Sequence, residues 1–285
     1  MNIKDNLQGF DLEKITSEGK RCPHLAAEKT GSGVDLISGN GYPRLLQLSA
    51  INDYCDDSKP MSDIRNWVHQ YLARPHPELG RKGPVCPFVS LSIKLDSIWI
   101  TQVAESDLTE DRIQEIINYY RDAFFSTEPT SDQHKMNKAF IVLFPTLEKC
   151  GAAVIDRIQS KLKKHFVESG LMLGEFHEEN QSPGLRNPEF RPLRSPIPML
   201  AIRHMVDTDL PFLLPDNYPA EERSLYLRSY LTYLSRTLSS ANLNLAIQAL
   251  VNAEVETAIN KMKVDIGSEP IRLKSQNTNY DMAKL

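Results

Sequence analysis

Chemistry is densest in GEFHEENQSPGLRNPEFRPLRSPIPMLAIRHM, residues 174–205, which carries His177, His204, Arg186, Arg191, Arg194 and Arg203. After Gly184 its one acid is Glu189, in a chain of net charge −4. Arginine presents a planar fork of donors that suits carboxylates and phosphates. Pro183, Pro188, Pro192, Pro196 and Pro198 stiffen the connection by fixing their own φ and restricting the residue before each. For any single arginine a surface ion pair worth ~0–1 kcal/mol is the ordinary outcome. The set of four reads as a grip for an anionic ligand.

His177 follows the apolar segment LMLGEF, where a side chain leaves a strand and meets the loop. An imidazole there can be a general base, a metal ligand or a heme axial ligand, or simply a histidine hydrogen-bonded to the loop. His204 lies in the returning strand, with Arg203 expected on the opposite face. Zinc fits less well, since His177 and His204 have no obvious third ligand. Glu175 is expected to face away from His177 if the strand stays regular. A second constrained turn, RPHPELGRKGPVCPF at 74–88, gathers His76, Arg81 and Cys86. Cys86 is a nucleophile or thiolate ligand if a cation lowers its pKa, and otherwise a buried inert thiol.

These residues need elements to hold them. Ile64, Trp67, Val68 and Tyr71 have helical spacing, as do Ile113, Ile116, Ile117, Tyr120 and Phe124, and then Val154, Ile155, Ile158, Leu162 and Phe166. VCPFVSLSIK, SIWITQV, KAFIVLFP, LMLGEF and PMLAIRHMV read as strands. Two apolar seams follow, Leu227 to Leu238 and Ile247 to Ile259. The order predicts an α/β or α+β fold, a mixed sheet with helices packed on it and a C-terminal helical segment. Residues 1–60 read as an irregular extension, 61–215 as the core domain with the site, 216–264 as C-terminal helices and 265–285 as a mobile tail. No glycine-rich strand-to-helix turn supports a dinucleotide site. The charge gives no reason to expect nucleic acid or an anionic membrane. No apolar run reaches the ~20 residues of a membrane helix, and the start MNIKDNLQGFDLEK lacks the pattern of a signal peptide. Four scattered cysteines with no CxxC pair fit reduced thiols in a cytoplasmic protein.

The combination GPVCPF, IVLFP before a helix, and GEFH…GLRNPEFRPLRSPIPMLAIRHMVDTDLPFL resembles a family of uncharacterised bacterial proteins (DUF6875-like), a domain of unknown function found with biosynthetic genes. More remotely, over about residues 64–214, the layout is similar to the YqcI/YcgG family of heme-dependent oxygenases. That likeness implies His177 as the heme-iron ligand and Arg186, Arg191 and Arg194 on heme propionates or a substrate carboxylate. It also places Cys86 by the cofactor and His204, with Arg203, in the catalytic pocket. Glu178 stands where that family has proline, and Cys86-Pro87 reverses its proline-cysteine step. The implied function is a heme-dependent monooxygenase that N-oxygenates an amino-acid-like, anionic substrate, using dioxygen and an electron donor. Its rivals are a non-catalytic heme or ligand-binding protein, and a heme-free interaction protein that docks through the arginines. The second C-terminal seam is expected to form a homodimer contact.

Overall fold

The computed structural model describes residues 41–51, 59–147, 151–215 and 217–265. Its centre is a five-stranded mixed sheet in the order β1-β2-β3-β5-β4. The strands are β1 (Leu46–Gln47), β2 (Ile98–Gln102), β3 (Ala139–Leu143), β4 (Leu171–Phe176) and β5 (Met199–His204). β3 takes the middle because Phe140, Ile141, Val142 and Leu143 are apolar on both faces, the pattern of a strand covered on both sides. β2 and β3 are parallel and are joined through a helical crossover, while β5 runs antiparallel to both β3 and β4.

Alternation along the strands sends each face to its own helix layer. Phe140, Val142, Leu171, Leu173, Leu200 and Ile202 pack under α3 (Glu110–Ser126) and α4 (Gly151–Glu168). Ile98, Ile100, Ile141, Leu143 and Met199 pack under α1 (Lys59–Trp67) and α2 (Val89–Lys94). Thr109 caps α3 by accepting from the Arg112 N–H at 3.2 Å, and Glu110 and Asp111 complement the first-turn dipole. Gly170 ends α4 in the left-handed region at φ 73°. A Cβ there would stand 2.8 Å from the Tyr233 ring.

A third apolar cluster joins α5 (Ala220–Leu234) and α6 (Ser240–Asp265) to Val167 of α4 and Met172 of β4. A buried ion pair, Arg223 Nη2 to Glu256 Oε2 at 2.7 Å, ties α5 to α6.

Two expectations change. VCPFVSLSIK contains the helix α2 rather than a strand, because Val89 and Ile93, one turn apart, pack together against the α1 side. The strand that pairs with β2 on its outer side comes instead from the stretch read as an irregular extension. Leu45, Leu48 and Ile51 are buried beside it. Residues 1–40, 52–58 and 266–285, with the expected mobile tail, lie outside the described residues. No helix among the described residues is long and apolar enough to cross a membrane.

Candidate functional site

β4 stops at Phe176, and the next residue, His177, is buried with its ring turned toward α4. There its Nε2 lies 2.9 Å from Oδ1 of Asp156. The two partners differ in exposure: the His177 side chain is 3% exposed and that of Asp156 54%. Asp156 can serve only as acceptor while ionised, so the proton between them sits on Nε2. The His177 Nδ1 is buried and has no hydrogen-bond partner among the described residues. The loop closes over the histidine from outside, with the Asn180 and Ser195 N–H groups both donating to the His177 carbonyl, at 3.2 and 3.4 Å.

Beside this pair lies a cleft of about 370 Å³ lined by Asp156, Gln159, Glu175, Asn180, Gln181 and Ser182. Each side-chain amide in its wall gives one N–H to the backbone. Gln159 Nε2 donates to the Leu173 carbonyl at 3.1 Å, Asn180 Nδ2 to that of Glu175 at 3.3 Å, and Gln181 Nε2 to that of Glu179 at 2.9 Å. The Asn180 Oδ1 accepts from the Ser182 N–H at 2.9 Å, and the Asp156 and Glu175 carboxyls add acceptor oxygen to the lining. Burial raises the Glu175 carboxyl above the usual carboxylate range, and the charge of Asp156 pushes the same way against a backbone hydrogen bond. Two carboxyl groups in unlike environments, one half-buried with its pKa raised and one exposed, form a pair suited to proton exchange with a cation.

Glu175 does not face away from His177. Residues two apart on a strand share a face, so both point at the α4 side, and the expectation of opposite faces had the alternation reversed.

The sequence-predicted residues fall in four separate places. His204 sits at the far end of β5, paired with Leu171, while Phe176, next to His177, pairs with Met199. That separates the two histidines by roughly 20 Å along the strands. The His204 ring lies edge-on to Phe124 at 5.1 Å, and burial, with Lys138 and Lys135 nearby, lowers its pKa to about 4. Arg203 points to the other face and holds Asp209 through two 2.6 Å bonds.

Cys86 carries a free thiol packed against the α1–α2 cluster, away from the cleft. Cys22, Cys55 and Cys150 lie outside the described residues.

The two dense turns do meet each other. His76 stacks on Phe190 with centroids 4.7 Å apart, and Asn187 Nδ2 donates to the Glu78 carbonyl at 2.7 Å. Gly80 abuts Arg186, whose Cβ and carbonyl oxygen are each 3.1 Å from where a glycine Cβ would sit. Arg191 donates to the Pro188 and Phe190 carbonyls. Arg194 is tied to the cleft wall through Nε to the Asn180 carbonyl at 3.2 Å.

A heme at His177 would need a free ring nitrogen opening on a large apolar slot, with cations for its propionates. One nitrogen is taken by Asp156, the other is sealed in protein, and the adjoining cleft is polar and acidic. The residues present do not fit a heme there. Among the described residues no group of three or more His, Cys, Asp and Glu could hold a metal ion.

Asp156, Gln159, Glu175, Asn180, Gln181 and Ser182 did not stand out as site residues in the sequence. One signal was readable: Glu175 is the lone charge inside the otherwise apolar LMLGEF.

The model of one family, Domain of unknown function (DUF6875), matches residues 61–243. The chain belongs to this family. The DUF6875 match contains the whole cleft and both dense turns, and runs from α1 into the start of α6. No curated protein and no solved structure matches the chain.

Proposed function

We propose that this DUF6875 protein binds an amino-acid-like amine, with the ligand's cationic nitrogen in the cleft against Asp156 and Glu175. The observation that carries this reading is the 2.9 Å contact that holds Asp156 on the buried His177 beside a second carboxyl in the same cleft lining, Glu175. Two carboxyl groups in the cleft lining favour a donor ligand. An ammonium or guanidinium group offers several N–H donors and a positive charge. Arg194, fixed at the wall by Asn180, supplies a cation for a carboxylate on the same ligand. Glu175 exchanges the proton, since its raised pKa lets it take one from a bound ammonium more readily than an ordinary carboxylate would. The cytoplasmic placement and the biosynthetic role expected from the sequence belong to the same proposal.

Calorimetric titration with basic amino acids and with their N-acetylated forms tests it. Binding is expected for the free amines and should weaken at least tenfold on acetylation or in Asp156→Asn. Equal binding of both forms, or none, would overturn the reading. Addition of hemin tests the oxygenase instead: a Soret band that is lost in His177→Ala would restore the heme-dependent function.

A further inference from the structure

α6 is 26 residues long, so it extends about 39 Å. One side of it packs on α5 through Ala246, Ala253 and their neighbours. The opposite side leaves Ile247, Val251, Val255 and Met262 exposed at 46, 50, 45 and 67%. Scattered apolar residues on a surface mean little, but a continuous row along one helix face marks an interaction site.

The spacing of that row says what kind of surface fits it. Val251, Val255, Ala258 and Met262 follow one another at intervals of four, three and four, the alternation of a two-helix seam with a 3.5-residue period. Such a seam is complementary to another helix with the same repeat. Glu254 and Lys261 lie seven residues apart on the same flank of the seam and carry opposite charges.

We infer that α6 pairs antiparallel with α6 of a second copy of this chain across a two-fold axis. Val255 then meets the partner's Ala258, and Val251 meets the partner's Met262. In antiparallel pairs equivalent flanks face each other, so this one register also brings Glu254 beside the partner's Lys261, and Lys261 beside the partner's Glu254. The apolar layers and the charges thus agree on a single self-complementary alignment, as an isologous contact requires. Glu254 is bonded to Arg228 of α5, and Lys261 stands 3.4 Å from Glu221. Lys261 and Glu221 are 70 and 68% exposed, so that pair is weak and leaves Lys261 free to share a new partner.

The mass of the full chain in solution, followed by light scattering from about 1 to 100 µM, tests the inference. The expected result is twice the 32.3 kDa chain mass. Val251→Glu/Val255→Glu should give a monomer with an unchanged circular dichroism spectrum, since both side chains lie outside the α5 contact. Glu254→Lys should weaken the dimer at least tenfold, and Glu254→Lys/Lys261→Glu should restore it. A wild-type monomer throughout the range overturns the inference, as does a dimer indifferent to the valine substitutions. A dimer indifferent to Glu254→Lys overturns the antiparallel register. If a monomeric chain dimerises only after residues 266–285 are removed, that segment is the occupant and the inference fails.

Discussion

Asp156 and His177 stand 2.9 Å apart at the seam between α4 and the end of β4, the carboxylate half in solvent and the imidazole out of it. Their unequal burial defines their roles. In the proposed function Asp156 meets the ligand, and His177 fixes where its oxygens point. His177→Ala should therefore destabilise the fold by about 1–3 kcal/mol, from the lost packing and hydrogen bond. It should also weaken amine binding about ten- to a hundredfold, the equivalent of one charge-assisted hydrogen bond at about 1.5–3 kcal/mol. Urea denaturation and calorimetric titration of the same variant read the two effects separately.

Glu175 should give the binding its pH dependence. Its carboxyl is held above the ordinary carboxylate range by burial, so it takes up a proton as pH falls before an ordinary glutamate does. A cationic ligand loses its anionic partner on that protonation, and affinity should drop on the acid side from a higher pH than about 4.3. In Glu175→Gln this inflection should vanish and affinity at pH 7 should fall. Dissociation constants measured between pH 4.5 and 7.5 for both proteins check the outcome.

His204 should make the fold sensitive to mild acid. Its pKa is lowered to about 4 by burial, with Lys138 and Lys135 adding to the effect. An unfolded histidine titrates near 6.5. Between those values the unfolded chain binds the extra proton, so stability is present above pH 6.5 and is lost as pH falls toward 4. Between pH 7 and 4.5 that amounts to roughly 2 kcal/mol. His204→Phe, beside Phe124 and Phe125, should remove this part of the loss, as judged by urea midpoints at the two pH values.

Arg203→Ala should cost stability rather than binding. Asp209 is buried, accepts two 2.6 Å bonds from Arg203 and also accepts from the Val206 N–H. Without the guanidinium a buried carboxylate keeps no counter-charge, a loss of about 3 kcal/mol. Thermal melting should fall, while the affinity for amines stays within twofold.

By itself, the sequence determined most of the elements. Apolar periodicity alone located α3, α4, β3, β4 and β5, because a strand covered on both faces and an amphipathic helix each leave a local pattern in the residue order. Cation density likewise marked the 174–205 loop, and prolines marked the 74–88 turn. The cleft was not legible in this way. Asp156 reads as one more polar position on an amphipathic helix, and only the packing of α4 on β4 brings it to His177, 21 residues further on. The same holds for His204: its strand could be read, but not that strand pairing would carry it to the opposite end of the sheet from His177. The role of the arginines also turned on partners. Arg203 found Asp209, while Arg191 and Arg194 found backbone carbonyls. Local sequence carries the burial pattern of each segment because burial repeats with the geometry of the element. Which charge meets which depends on contacts between segments far apart in the chain, and only the tertiary structure decides those.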